Sequence, residues 1–143
     1  MSKKSAILVI LQIAAMILLI WFNKPISSGF GLIVQAFGIL IGIWAIIAVR
    51  IGNFNIQPEV KSNILIVKGP YKWIRNPMYT AVILFYLPIV IQNLNLLNIV
   101  VFILLFAILI LKIISEEHYL EERFNSLYLE YKKGTKKLLP FIY

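Results

Sequence analysis

The sequence predicts an all-α integral membrane protein with four transmembrane helices, a cytoplasmic connector and a C-terminal helix at the cytoplasmic interface. Hydrophobic residues make up 61% of the chain and charged residues only 14%, which is too apolar for a soluble domain of 143 residues. The apolar residues are also gathered into separate runs with short polar segments between them. We therefore treat residues 1–143 as a single membrane domain.

The first two spans are predicted in the N-terminal third of the chain. Residues 6–22 are a run that is apolar except for Gln12; it follows Lys3 and Lys4 and has about the length that a bilayer core requires. A secretory signal peptide is the alternative, but the run is long for such a segment and no Ala-x-Ala-type cleavage site follows it. A short turn containing Lys24 leads to the second predicted span, at 30–49.

Residues 50–77 form a long polar connector. Pro70 and Pro77 lack a backbone N–H and keep the residues before them extended, so this segment is not a continuous helix. The connector is the longest place where polar residues interrupt the apolar pattern. It is therefore the first candidate for a functional segment.

The second half of the chain holds the other two predicted spans, at 78–91 and 96–111, joined by an uncharged turn. The last span runs on into a Glu-rich helix that begins at Lys112 and ends near Tyr131. This helix opens a polar C-terminal segment, 112–143. A helical hairpin thus separates the connector from a second polar segment.

The basic residues predict the orientation. They lie at the N-terminus, in the connector and in the tail, whereas the two other turns hold only Lys24. By the positive-inside rule, both termini and the connector face the cytoplasm. The connector and the C-terminal helix therefore lie on one side of the membrane, where they can enclose one charged small molecule.

Charge and composition exclude several classes of function. The net charge of +8 comes from residues that flank spans, so the tail lysines, Lys132, Lys133, Lys136 and Lys137, are interpreted as contacts to anionic lipids rather than to nucleic acid. The chain has no cysteine and no aspartate, and His118 is its one histidine. A Ser-His-Asp triad and a cysteine- or histidine-rich metal site are therefore excluded.

One ionisable pair and one histidine are open to more than one interpretation. Lys112 and Glu116 are four residues apart and share a helix face, either as ligand contacts or as an ion pair; a Lys that precedes a Glu is the weaker orientation for an ion pair. His118 is a conceivable base or a solvated interfacial residue. Gln12 and Gln35, the main polar residues inside the spans, are interpreted as interhelical hydrogen bonds.

Two sequence blocks resemble those of a known family. The stretch Asn63-Ile-Leu-Ile-Val-Lys-Gly-Pro-Tyr-Lys-Trp-Ile-Arg-Asn-Pro-Met-Tyr79 resembles the signature of the isoprenylcysteine carboxyl methyltransferases and their phospholipid methyltransferase relatives. The second block begins at Glu116-Glu117 and closes with Leu-Pro-Phe-Ile before Tyr143. The resemblance covers about residues 53–142. The chain departs from the family's pattern at several positions, including Asn63 and Asn76 in place of histidine, Lys112 in place of arginine, and Asn125 in place of glycine.

The resemblance implies an integral membrane methyltransferase that uses S-adenosyl-L-methionine. The residues implied to bind this cofactor are Gln57, Asn63, Ile64, Leu65, Ile66, Tyr71, Asn76, Pro77, Met78, Tyr79 and Glu116. The cofactor carries a sulfonium, an ammonium and a carboxylate, so its pocket must offer both signs of charge. Glu116 offers one, and Arg75 or Lys112 the other. Arg75 and Lys112 are the candidate catalytic residues, and Lys112 is also the candidate substrate-binding residue.

The implied reaction is methyl transfer to a lipophilic acceptor that enters from the bilayer, most like isoprenylcysteine carboxyl O-methylation. Transfer to a phospholipid amine or a lipophilic thiol is the alternative within this class. An NADPH-dependent membrane reductase is a second hypothesis, and a non-catalytic four-helix module or small transporter is a third. The four-span size resembles prokaryotic members of the family, which implies a location in a prokaryotic cell membrane.

Overall fold

The computed structural model describes residues 3–50 and 65–138. Its α-helices are α1 (Lys3–Trp21), α2 (Phe30–Arg50), α3 (Pro77–Gln92), α4 (Leu96–Phe124) and α5 (Ser126–Gly134). A short 3-10 helix, Gly69–Lys72, precedes α3. Within the described residues, Ile74 and Lys136 form an isolated parallel β-bridge. The all-α class predicted from the sequence is confirmed for this part of the chain.

Three helices are long and apolar enough to cross a membrane. They are α1, α2 and α4, with mean hydropathies of 2.2, 2.6 and 3.0, and they contain most or all of the predicted spans 6–22, 30–49 and 96–111. The predicted span 78–91 corresponds to α3, which is apolar but has 16 residues. Its rise of about 24 Å is less than the roughly 30 Å of a bilayer's hydrocarbon core.

Helices α2 and α3 pack closely because α2 has a glycine at the contact. A Cβ atom at Gly38 would lie 3.0 Å from the Cβ of Leu84 and 3.1 Å from the carbonyl oxygen of Ala81. Any larger residue at this position would therefore force the two helices apart. This contact fixes α3, and with it the residues at the start of α3, against α2.

The buried core lies between α1, α3 and α4. Leu19, Ile89 and Leu109 are fully buried there. The outward faces of the helices expose many large apolar side chains, among them Ile10 on α1 and Ile33 on α2. An apolar outer surface of this kind suits a bilayer, in which the backbone hydrogen bonds of the helices are satisfied internally.

One end of the bundle is closed by uncharged polar side chains. Asn23 and Asn98 exchange side-chain hydrogen bonds of 3.0 and 2.8 Å between the C-terminal end of α1 and the start of α4. Gln35 is 2% exposed and hydrogen-bonds to three backbone groups, and Gln92 exchanges two hydrogen bonds with the backbone of Ser28. We call these residues the closed end. The opposite end, which we call the charged end, holds the described residues 65–77 of the connector and 126–138 of the C-terminal segment, which we call the tail.

The Glu-rich helix at the charged end differs from the prediction. A single helix from Lys112 to about Tyr131 was expected, but α4 ends at Phe124 and α5 starts at Ser126. The residue between them, Asn125, has a φ of 43°. This positive φ cannot continue a right-handed helix, so the chain changes direction at Asn125.

The change of direction returns the tail to the connector. The Tyr131 hydroxyl donates a 2.6 Å hydrogen bond to the carbonyl oxygen of Tyr71. The backbone N–H of Arg75 donates to the Lys136 carbonyl at 2.8 Å, and the Lys136 N–H donates to the Trp73 carbonyl at 3.0 Å. Two segments some sixty residues apart in sequence are thus joined through their backbones.

Candidate functional site

The charged end contains two adjacent groups of polar side chains. The first, which we call the site cluster, consists of Gln12, Tyr71, Tyr79, Lys112 and Glu116. The second, which we call the tail anchor, consists of Arg75, Glu117, Lys132, Thr135 and Lys137. Helix α4 contributes neighbouring residues to both groups, so the two share one support.

The start of α3 brings Tyr79 to Glu116. Pro77 is the first residue of α3, where its fixed φ suits a helix start and its missing N–H is not needed. Tyr79 follows in the first turn and donates a hydrogen bond from its hydroxyl to Glu116 Oε1. Because Glu116 is only partly exposed, this hydroxyl supplies a hydrogen bond that its carboxylate would otherwise have to take from water.

Lys112 lies one turn before Glu116 on α4. Its side chain is largely buried, with 7% of the residue exposed, and its Nζ lies 5.1 Å from the centroid of the Tyr79 ring. The same Nζ donates a 2.7 Å hydrogen bond to Oε1 of Gln12 on α1. Among the described residues, the ion pairs do not include one between Lys112 and Glu116. The ammonium therefore has a neutral amide as its hydrogen-bond acceptor.

Tyr71 reaches the site cluster from the connector. It lies in the 3-10 helix that begins at Gly69, whose φ is 61° and whose missing Cβ leaves room for Trp44 and Ala48 of α2. Burial raises the pKa of the Tyr71 phenol above its usual range, and the nearby Tyr131 and Glu116 side chains act in the same direction. Tyr71 is therefore a neutral phenol at physiological pH.

Asn76 caps the start of α3 and faces the tail. It is 9% exposed, and its Nδ2 donates a 3.1 Å hydrogen bond to the carbonyl oxygen of Lys137. Its own carbonyl oxygen accepts the N–H groups of Tyr79 and Thr80. Asn76 thus sits beside the site cluster and positions Tyr79 through the backbone, while its side-chain amide is engaged by the tail.

Arg75 is the centre of the tail anchor. Its Nε lies 2.8 Å from Glu117 Oε1, and the two side chains are 8% and 9% exposed. Its NH1 group donates to the carbonyl oxygens of Lys132 and Thr135. The structure thus directs this guanidinium to the tail, and the catalytic role for Arg75 stays a prediction that the geometry does not favour.

The other predicted site residues fall into two groups. Met78 is partly buried in the first turn of α3, and Leu65 and Ile66 are partly buried residues that lead into the 3-10 helix. Gln57, Asn63 and Ile64 lie outside the described residues.

Gln12 is the member of the site cluster that the sequence interpretation missed. It was expected to form an interhelical hydrogen bond, and it does, but its partner is the candidate substrate-binding residue Lys112. The available signal was its polarity in the middle of an apolar span, which is expensive in a bilayer and marks a functional position by default.

An apolar groove begins beside the site cluster and opens on the outside of the bundle. It has a volume of about 210 Å³ and is lined by residues of α1, α2 and α3, namely Met16, Gly38, Ile39, Gly42, Ala81, Val82, Phe85 and Tyr86. Met16 accepts a 3.7 Å contact on its sulfur from Nε2 of Gln12. The groove thus lies one helical turn from Gln12 along α1, and its apolar lining suits an alkyl chain.

Comparison with known proteins identifies the family. No curated protein matches the chain. A family model described as phospholipid methyltransferase matches residues 26–126, which include all of α2, α3 and α4. The match covers more than half of the chain and agrees with the resemblance found in the two sequence blocks. Together with the apolar helices, it makes this chain a membrane protein that belongs to the phospholipid methyltransferase family.

Proposed function

We propose that this protein is an integral membrane methyltransferase that transfers a methyl group from S-adenosyl-L-methionine to a lipophilic acceptor. The observation that carries the proposal is the meeting of Tyr79 with Lys112 and Glu116 at one end of an otherwise apolar bundle. Polar and charged groups among apolar membrane helices cost free energy, and they are typically retained where they bind a ligand or a substrate. The family match favours methyl transfer over the NADPH-dependent reductase and over a non-catalytic module.

The proposal includes a topology. We place all four helices α1 to α4 across the membrane, with both termini and the connector on the cytoplasmic side, as the basic residues predict. Helix α3 is the short one, and the apolar residue Trp73 just before it is 50% exposed and suited to the interface. The site cluster then lies at the cytoplasmic boundary of the bilayer, in a prokaryotic cell membrane.

The side chains present fit the chemistry of the proposed cofactor. Glu116 offers an anion for an ammonium, and Lys112 offers a cation for a carboxylate or another anion. The rings of Tyr71 and Tyr79 offer π faces, to which a sulfonium is attracted as other cations are. Opposite charges on adjacent turns of α4 therefore match a ligand that carries both signs of charge.

When bound, S-adenosyl-L-methionine would supply a methyl group attached to a sulfonium sulfur. As the methyl group passes to the acceptor, the carbon–sulfur bond breaks and the sulfur becomes a neutral thioether. The protein's task is then to orient the two reactants and exclude water. Glu116, oriented by the Tyr79 hydroxyl, binds the positively charged group of a ligand, and Lys112 binds the negatively charged group. The tail anchor keeps the tail against the connector and so covers the site from the cytoplasmic side.

The acceptor is proposed to be a lipophilic molecule that carries an anionic group. Lys112 gives the site a buried cation, and the adjacent groove receives an alkyl or prenyl chain. A carboxylate or thiolate accepts a methyl group without losing a proton, so it needs no general base. Carboxyl O-methylation of a prenylcysteine is the first candidate. Methylation of a phospholipid amine is the second, and the family match favours it.

Binding of S-adenosylhomocysteine tests the proposal. We expect detergent-purified protein to bind this product in calorimetry and not to bind NADPH. Glu116→Gln removes the charge and is expected to weaken binding by about tenfold to a hundredfold, the range for a hydrogen bond to a charged group. Tyr79→Phe should also weaken binding of S-adenosylhomocysteine, because it removes the hydroxyl that orients the Glu116 carboxylate.

The matched control is Glu122→Gln, which removes a carboxylate from the exposed side of the same helix, where Glu122 pairs with His118 at 3.2 Å. This variant should bind S-adenosylhomocysteine as the wild type does. Equal affinity in the wild type and Glu116→Gln would refute the cofactor assignment of Glu116, and wild-type binding of NADPH alone would refute the methyltransferase.

A further inference from the structure

The site cluster contains one residue from α1, the helix that precedes the family-matched segment 26–126. Gln12 lies in the middle of α1, which is otherwise apolar between Ser5 and Trp21. An amide placed in an apolar helix costs free energy unless it finds a hydrogen-bond partner. Its partner on α4 is the Lys112 ammonium, at 2.7 Å.

The orientation of the Gln12 amide follows from this partner. A lysine ammonium has three donors and no acceptor, so the amide must turn its oxygen toward Lys112. Its Nε2 then points to Met16, with the sulfur at 3.7 Å. The amide is thereby set between the cation of the site cluster and the first residue of the apolar groove.

Burial makes this contact important to Lys112. With 7% of the residue exposed, the ammonium is largely removed from water. It needs a hydrogen-bond acceptor, and the nearest charged alternative on its own helix is Glu116.

From these contacts we infer that Gln12 is a positioning residue: it holds the Lys112 ammonium apart from Glu116, so that the positive charge stays available to an anionic group on the acceptor. The inference rests on the proposed function and deepens it, because it specifies an acceptor with a negative charge next to its alkyl chain. A neutral amide suits this role, since it accepts the hydrogen bond without cancelling the charge. A carboxylate on α1 would cancel it.

The inference distinguishes two kinds of effect. If Gln12 only joins α1 to α4, its loss lowers stability and leaves ligand preference unchanged. If it positions Lys112, its loss lets the ammonium pair with Glu116, and the protein then no longer prefers an anionic ligand over a neutral one. The preference for an anion is therefore the quantity to measure.

The experiment measures binding to detergent-purified protein with two pairs of probes. The first pair is N-acetyl-S-farnesylcysteine and its methyl ester, which differ by the carboxylate. The second is short-chain phosphatidylmethanol and the diacylglycerol of equal chain length, which differ by the phosphodiester anion. The arm in which the wild type discriminates identifies the source of the anion, either a prenylcysteine or a phospholipid.

We expect the wild type to prefer the anionic member of one pair by about tenfold or more. Gln12→Leu and Gln12→Glu should both lose most of this preference, the first because it removes the acceptor and the second because it neutralises the cation. In a Lys112→Met background, Gln12→Leu should change the preference no further, because the two residues act through one ammonium.

The matched control is Gln35→Leu, which removes the glutamine of the second predicted span, at the closed end. It should lower the unfolding midpoint and leave the preference for the anion unchanged. An unchanged preference in Gln12→Leu would overturn the inference, and so would a wild type that discriminates in neither pair. S-adenosylhomocysteine binding by the wild type is measured separately, so failure of the methyltransferase itself would be recognised.

Discussion

The two ends of the bundle differ in how their polar side chains find partners. Both place polar side chains against apolar helices, where an unpaired polar group is costly. At the closed end, Asn23 and Asn98 pair with each other and Gln35 is surrounded by backbone groups. These contacts carry no net charge and leave the named side chains with partners within the protein.

At the charged end, the described charges are only partly matched. Arg75 and Glu117 form a close ion pair in the tail anchor, but Lys112 meets a neutral amide and Glu116 meets a phenol hydroxyl. A cation and an anion on adjacent turns of α4 are thus held by neutral partners. The polar groups of the closed end thus satisfy one another, whereas the unmatched charges of the other end fit the proposed binding of a ligand with complementary charges.

Substitutions in the tail anchor test this division most strongly. The tail anchor belongs to the charged end, but, as at the closed end, its polar groups are paired with one another. Arg75→Ala leaves the 9%-exposed Glu117 carboxylate without its main partner. Removing one member of a buried ion pair typically costs about 3 to 5 kcal/mol. We expect a large fall in the free energy of unfolding in detergent and rapid proteolysis of the tail after Asn125.

Two variants control this prediction. Lys133→Ala, at an exposed position of α5, should be nearly neutral. The double variant Arg75→Met with Glu117→Leu should be more stable than Arg75→Ala, because it removes both charges together. If Arg75→Ala instead kept the stability of the wild type and lost only turnover, Arg75 would be catalytic and the tail anchor would have no structural role.

Substitutions at the closed end are expected to lower stability without changing ligand affinity. Asn98→Leu removes both side-chain hydrogen bonds to Asn23 at a position that is 2% exposed. The expected cost is about 1 kcal/mol, as for polar contacts between membrane helices. Thermal unfolding in detergent should show this loss, while the affinity for S-adenosylhomocysteine stays within about twofold of the wild type.

The pair with Asn23 supplies the control. Adding Asn23→Ala to Asn98→Leu should cost less than the two single losses combined, since both remove the same contact. A marked loss of cofactor affinity in Asn98→Leu would contradict the division between the two ends.

The sequence predicted the helices because the length of an apolar run is a local property. The position of Lys112 and Glu116 on one face of α4 was predicted for the same reason, because it follows from their spacing of four residues. The meeting of Tyr79 with Glu116 was expected only from the resemblance to the methyltransferases, since no local pattern reports a contact between residues on different helices.

Two features of the charged end were not predicted, for different physical reasons. The role of Gln12 depends on which face α1 turns toward α4, and a helix that is apolar on all sides does not specify that face. The return of the tail depends on the backbone of Asn125 and on long-range contacts between Arg75 and Lys136. Asparagine accepts a positive φ more readily than most residues, and the family pattern has glycine at this position, so these were the signals available for an end of α4 there.

The smallest expected effect is at Asn125, and it tests whether the charged end depends on this change of direction. The φ of 43° disfavours side chains with a Cβ and suits glycine. We expect Asn125→Gly to be more stable than Asn125→Ala by about 1 kcal/mol, measured from unfolding midpoints in detergent. In an ordinary helix the order would be reversed, because alanine favours helix and glycine disfavours it. Asn125→Ala more stable than Asn125→Gly would therefore mean that α4 continues into the tail, and the tail anchor could not form as described.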